Sequence, residues 1–385
     1  MAADFYDVAI IGAGPAGTAC ALALQNSGLQ VVLIDKATFP RDKACGDAVP
    51  VMAFKAMDHI NPEWGQAMRN FLDKTEISAA EAYMPNGKSL KRTWSGYTCN
   101  SKRIDFDNFL LQLVRTNTNT TIIENKRVES VEVSNDYVVF TLQDETTLKA
   151  SVIIGCDGAN SVITRQLGKF DFRGDHIATA VRCYFHGIEG LQKGVNEVHF
   201  FKEFMPGYFW IFPLENGWAN VGFGVFSDKT GHNKDKLNLR EAIQTITTSF
   251  PSIAPRFRDA KSTDSYKGFA LPLGTRKRKI SGKRFMLCGD AAALIDPIGG
   301  NGIDNAMWSG SLAAEQAIQC FRNGDFSATH MKKFDKAVYK KIGSQLFYST
   351  CLMRLFQRFP SLFNKIASIL QYRTITNLLI RLFKM

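Results

Sequence analysis

The residues that could do chemistry begin with three glycines and an acid. Gly12, Gly14 and Gly17 stand at G-x-G-x-x-G spacing inside YDVAIIGAGPAGTACALALQNSGLQVVLID, and Asp35 closes that stretch. Gly12 permits a tight turn, Gly14 lets backbone approach a pyrophosphate, and Gly17 lets a helix pack closely on a strand. The helix N-terminus aims free N–H groups and partial positive charge at phosphate. A carboxylate at Asp35 can accept from ribose hydroxyls. That chemistry is dinucleotide binding, with FAD and NAD both open at this point. The positioning elements follow from the pattern: a strand over 8–11, a small-residue helix over 19–24 ended by Gly28, and a second strand over 31–34.

The totals bound the rest. The chain has 385 residues, enough for two domains or one elaborated one, and is 45% hydrophobic and 22% charged, as ordinary globular proteins are. The start, MAADFYDV, has no basic region or apolar core of a secretory signal, and no run reaches the roughly 18 apolar residues of a spanning helix. Eight cysteines without a C-x-x-C pair fit a reducing cytoplasm and speak against structural zinc; the six histidines show no ligand spacing. Net charge is +11, and residues 331–385 hold nearly all the excess, with Asp335 their single acid.

Further along, Arg41 and Lys43 lie in a Pro/Gly-marked loop within reach of phosphate or ribose, and Cys45 stands beside Gly46. Cys45 reads either as a buried small thiol or as a residue beside a cofactor ring. Residues 51–98 are poorly periodic. A helix is predicted over FDNFLLQLVRT, with Asp107 in its first turn, and a hairpin around Ser134-Asn135-Asp136. R-x-x-F-D-x-x-L at 103–110, C-D-G-A-N-S at 156–161 and G-D-A-A at 289–292 follow the glycine triplet in this order.

Together these motifs resemble the FAD-binding set of the p-hydroxybenzoate hydroxylase-like flavoproteins, over residues 1 to about 330. The resemblance implies FAD, with Arg103 and Asp157 near the dinucleotide and Asp290 on the ribityl chain. The implied cofactor set also takes in Ala16, Lys36, Arg41, Cys45, Gly46, Val128 and Gly158. A strand ending at Gly289-Asp290, a loop with Pro297, Gly300 and Gly302, and a helix from Ile303 complete it. In the resembled fold that helix end faces the flavin N1–C2=O edge, where reduction places negative charge that free N–H groups stabilise. No second G-x-G-x-x-G follows a strand, so the reductant is expected to be a visiting NAD(P)H, or another reductase or ferredoxin.

Residues 176–278 read as a β-rich insertion centred on MPGYFWIFPLENGWANVGFGVF. Tyr208, Trp210 and Phe212 share one face by period 2, and so do Gly222 and Gly224. A two-residue turn at Asn216-Gly217 would put the glycines opposite Ile211 and Phe209; an odd-length loop would put them beside the aromatic row. Such a row is often plain sheet core. Here Y-x-W-x-F-P, eight residues and G-x-G resemble the signature of the geranylgeranyl reductase family, in which it lines the prenyl-chain cavity; FPRDKACGD at 39–47 resembles that family too. Related halogenases favour W-x-W-x-I-P, and many hydroxylases of this fold have His where this chain has Ala293.

The expected architecture is therefore α/β. A discontinuous Rossmann-like FAD-binding domain of glutathione reductase type (1–75, 99–175, 279–330) carries an antiparallel β-sheet substrate domain (76–98, 176–278) and a basic helical segment (331–385). The basic cluster 276–279 reads as a solvated turn. The stretch SLFNKIASILQYRTITNLLIRLFKM reads either as a helix on an anionic membrane surface or as a terminal helix packed on the domain; nucleic acid is not expected. The expected function is FAD-dependent reduction of isolated C=C bonds in a prenyl lipid, in the cytoplasm or at the inner face of the membrane. Tyr208, Trp210 and Cys45 are the candidate catalytic residues, and Tyr208, Trp210, Phe212 and Gly222 the substrate-binding ones. The alternatives are a flavin monooxygenase or halogenase acting on an apolar or aromatic substrate, and a lipid carrier without turnover.

Overall fold

The computed structural model describes residues 5–170, 176–205, 207–227 and 237–359. The strand Phe5–Ile11 is central to an eight-stranded sheet, between the parallel strands Thr147–Gly155 and Val31–Ile34. Thr121–Ile123 extends the sheet on one side; Phe285–Leu287 extends it on the other. Val8, Ile10, Val32, Leu33, Val152 and Ile154 are fully buried, as near-continuous apolar strands covered on both faces must be. The hairpin Val128–Val133/Val138–Leu142 turns through 134–137 and attaches antiparallel to Thr147–Gly155.

The helix Pro15–Ala23 packs against the 21-residue helix Ile303–Asn323. The contact is close because Gly310 has no side chain: a Cβ there would stand 3.0 Å from the Ala16 carbonyl carbon and nearer still to its oxygen.

A second eight-stranded sheet runs in the order Lys261–Ser262, Ile177–His186, Trp218–Ser227, Gly207–Pro213, Val195–His199, Ala79–Tyr83, Ser89–Thr93, with Lys267–Pro272 also on Ile177–His186. One face buries Phe209, Ile211, Val221 and Phe223 under the helix Leu239–Ser249. The other face carries Tyr208, Trp210 and Phe212 towards the first sheet.

Two expectations need correction, and two stretches that the sequence leaves open are defined. Residues 51–70 form two helices, Val51–Ile60 and Pro62–Asn70, divided by Asn61, whose side chain accepts from the Glu63 N–H; each is too short to show a period. The helix at 103 starts at Arg103, so Asp107 lies in its second turn and serves as an ion-pair hub. Within the basic cluster Arg278 is buried, donating to the carbonyls of Leu273 and Arg276 beside the Phe170 ring. Finally, Asn216 and Gly217 both take positive φ, but they sit in a five-residue connection between Pro213 and Ala219. The extra residue pairs Tyr208 with Gly224 and Trp210 with Gly222, the odd-loop register.

From Ala328 a single helix runs to Arg358. Its N-terminal part buries Met331, Phe334, Val338, Ile342 and Leu346 against the core around the first sheet. The stretch SLFNKIASILQYRTITNLLIRLFKM lies outside the described residues.

Candidate functional site

At the glycine turn the three positions have separate reasons. A Cβ on Gly12, at φ +104°, would stand 2.7 Å from the Cys156 carbonyl carbon; one on Gly17 would overlap the Gly12 carbonyl. Gly14 is different: a Cβ there meets only Arg41 Nη2 at 3.7 Å, so the protein itself leaves that space open. No side chain caps the helix at Gly14, and Ala16 lies buried in its first turn. Asp35 is fixed at the strand end by the Ala13 and Ala37 N–H groups at 2.7 and 2.9 Å. Lys36, next to it, is exposed.

Beside this turn lies a cation cluster. Asp107, fully buried, accepts from Arg103 Nε and Nη2 and from Arg41 Nη1, each at 2.7 Å. Burial pushes the Asp107 carboxyl up, but the two guanidiniums outweigh it and hold it below the usual range. Two cations share one carboxylate, which leaves positive charge next to Gly14. Arg103 is also a charged neighbour of the Cys45 thiol.

Three loops converge nearby. Asp157 is half-buried, accepts from the Val162 N–H, and keeps a buried Oδ1 without a protein partner; desolvation raises its carboxyl. Gly158 follows at φ +78° with open space around it, and Val128 begins its strand buried. Asp290 pairs with Lys43 at 3.1 Å. Pro297 is buried, Gly300 has φ +66°, and Gly302 begins the helix at Ile303 without a side-chain cap. The open cradle at Gly14, the paired arginines and two uncapped helix N-termini would offer donors, and the unpartnered Asp157 oxygen an acceptor, that suit a flavin dinucleotide.

The aromatic row stands over the loops that would hold the ring. A Cβ on Gly46 would lie 3.4 Å from the Phe212 ring and 3.9 Å from Trp210; one on Gly300 would lie 3.2 Å from the Tyr208 hydroxyl. Tyr208, Trp210 and Phe212 follow one another at centroid spacings of 5.9 and 6.2 Å. Burial, then Asp296 and Cys45, push the Tyr208 phenol up to about 12, so it keeps its proton. Gly222 is needed here: a Cβ would stand 2.6 Å from Trp210 Cε2. Cys45 is half-buried at the same place.

Comparison with known proteins agrees with the geometry. The family described as "FAD binding domain" matches residues 5–315. A digeranylgeranylglycerophospholipid reductase of Methanosarcina acetivorans is 30% identical over 360 residues, covering 88% of this chain and 80% of that protein. The chain belongs to the FAD-binding domain family, in its geranylgeranyl reductase branch. It is an FAD-dependent oxidoreductase. This flavoprotein is also 31% identical to a menaquinone reductase of Mycobacterium tuberculosis, over 81% of this chain and 76% of that one. In fold it is similar to a geranylgeranyl bacteriochlorophyll reductase-like protein from Thermoplasma acidophilum, with TM-score 0.78, 20% identity and coverage of 91% and 87%. A flavin-dependent brominase shares the fold too, with TM-score 0.75, 20% identity and coverage of 98% and 93%.

Sequence reasoning missed Asp47, Asn220, Tyr184 and Arg182, which form a buried polar junction behind Trp210. Asn220 Oδ1 accepts from the Trp210 indole at 2.9 Å, while its amide donates to Cys45 O and Asp47 Oδ2 at 2.8 and 2.7 Å. The available signal was a lone Asn on the glycine face of its strand, legible only once the register is known.

Proposed function

We propose that this flavoprotein reduces isolated carbon–carbon double bonds of a prenyl lipid. The supporting observation is the row Tyr208–Trp210–Phe212 directly over Gly46 and Gly300, which sets aromatic faces against the loops that would hold the ring. Bound FAD, once reduced, supplies hydride. An unactivated alkene has no carbonyl to polarise, so this chain's residues must orient the carbons and stabilise cationic character on the second one. Tyr208 and Trp210 offer π faces for that charge, and the row excludes water. The alkene gains one hydride and one proton; Tyr208 Oη–H, Cys45 Sγ–H and water are the candidate proton donors. Gly222 and Phe212 shape the wall, and the arginine pair at Asp107 binds the dinucleotide.

The test is anaerobic turnover: reduce the loaded protein chemically, add a prenyl lipid, and weigh the product. A gain of two hydrogens supports the reading. Conversion only in air, with oxygen in the product, overturns it in favour of a monooxygenase.

An anionic membrane surface is the proposed source of substrate. Phe347, Tyr348, Leu352, Leu355 and Phe359 are exposed on the last turns of the helix Ala328–Arg358, alongside Arg354 and Arg358, and no acid follows Asp335 in the chain. Apolar side chains with basic neighbours suit an anionic lipid interface. No helix among the described residues is long and apolar enough to cross a membrane. Sedimentation with anionic vesicles, lost in Phe347→Ser/Leu355→Ser, would support surface contact; equal recovery with zwitterionic vesicles would refute the charge argument.

A further inference from the structure

The junction behind Trp210 has a forced direction. Trp210 Nε1 can only donate, so the Asn220 carbonyl must face it; the Asn220 amide must then face Asp47 and the Cys45 carbonyl. Tyr184 Oη also donates to Asp47 Oδ2, at 2.8 Å. Asp47 is wholly buried at φ +66°, a conformation few non-glycine residues hold, and its backbone carbonyl accepts from the Ser101 N–H at 2.9 Å. Arg182, itself buried, stacks its guanidinium 4.1 Å over the Tyr184 ring and pairs with Asp42 at the start of the same loop. The charged and titratable groups facing Asp47 are Arg182 and Tyr184 from the sheet and Arg103 from its helix. A loop of the FAD side and a strand of the substrate side thus share one hydrogen-bond chain, Asp47–Asn220–Trp210.

We propose that Asp47 and Asn220 are positioning residues that lock the Trp210 indole against the Cys45–Gly46 turn, and so fix the aromatic face on which the alkene is held. The role rests on the reductase reading, but the chain's geometry can be tested without lipid. Three donors and three acceptors meet with no alternative arrangement, which is how a buried network specifies one side-chain position. Oδ2 already takes two hydrogen bonds, and Oδ1 has no protein partner.

The test uses the FAD-loaded full chain. Asp47→Asn can keep an acceptor towards Asn220 and Tyr184 with its amide at the Oδ1 position, so the ring should stay in place and kcat fall by less than about threefold. Asn220→Ala removes the tether; kcat should fall about tenfold to a hundredfold with FAD still bound, and the effect should vanish when Trp210 is already Phe. Asn220→Asp is the sharpest variant. It sets a carboxylate against Asp47, and the pair can close only by sharing a proton. Its near-ultraviolet circular dichroism and bound-flavin absorption should be altered at about pH 8.5 and return towards wild type by about pH 7; burial lifts the wild-type Asp47 carboxyl only to about 6, so wild-type spectra change little between those values. Asn220→Asp spectra that do not change between those pH values would overturn the proposal. So would Asn220→Ala losing as much activity in the Trp210→Phe background as alone. If wild type reduces no prenyl lipid, the substrate reading fails, and the spectra still decide whether the junction positions the ring.

Discussion

Gly222→Ala should damage this protein far more than Gly224→Ala, although the two glycines lie two residues apart on one strand face. A Cβ at 222 would stand 2.6 Å from both Cε2 and Cη2 of Trp210, well inside ordinary contact, whereas a Cβ at 224 meets Ala180 Cβ at 3.5 Å and Trp210 Cζ3 at 3.6 Å. The indole cannot slide freely. Its Nε1 is held by Asn220 at 2.9 Å, Tyr208 and Phe212 flank it, and Gly46 lies across from it. Either the core absorbs the methyl, at about 1–3 kcal/mol of stability, or the ring shifts by roughly 1 Å, which can cost about a hundredfold in turnover. Gly224→Ala should stay near wild type in both. The assay is paired: chemical unfolding with FAD loaded, and kcat on a prenyl lipid. Equal behaviour of the two variants would refute the idea that Trp210 rests on position 222.

Three further outcomes follow from the same geometry. Gly14→Val should fold, because only Arg41 borders that space, yet elute without FAD; a fully yellow variant would contradict the cradle. Asp107→Asn should cost about 3–5 kcal/mol in unfolding experiments, since it leaves two cations without their shared carboxylate, one of them buried. Burial lifts the Asp304 carboxyl from 3.8 to about 6. The folded state therefore holds that proton more tightly than the unfolded chain, so stability declines as pH rises from about 4 to 6 and is level above. Asp304→Asn should thus stabilise at pH 8 by up to about 3 kcal/mol and not at pH 3.5, as melting at the two pH values would show.

The sequence was most readable where backbone geometry dictates residue type. Gly12 and Gly17 have no room for a side chain, so strand, turn and helix were legible from spacing alone. The register of Gly207–Pro213 on Trp218–Ser227 was not, because one residue in the 214–218 connection decides which face meets the glycines. The helices over 51–70 escaped because each is too short to display a period, and their boundary is set by the Asn61 cap. Asp47 and Asn220 escaped for a different reason: each is a common polar residue until the fold brings residues 173 positions apart within 2.7 Å. Arg278 likewise looked like one more surface cation, and only Leu273, Arg276 and Phe170 reveal its burial.

The proposed function places the alkene on the aromatic face formed by Tyr208, Trp210 and Phe212, beside the Cys45–Gly46 turn. A crystal structure of the FAD-loaded protein with a bound prenyl lipid tests it most directly. The account predicts the chain running along that row, one double bond stacked between the flavin ring and Trp210. A lipid bound elsewhere, with the row packed only against protein, would contradict it.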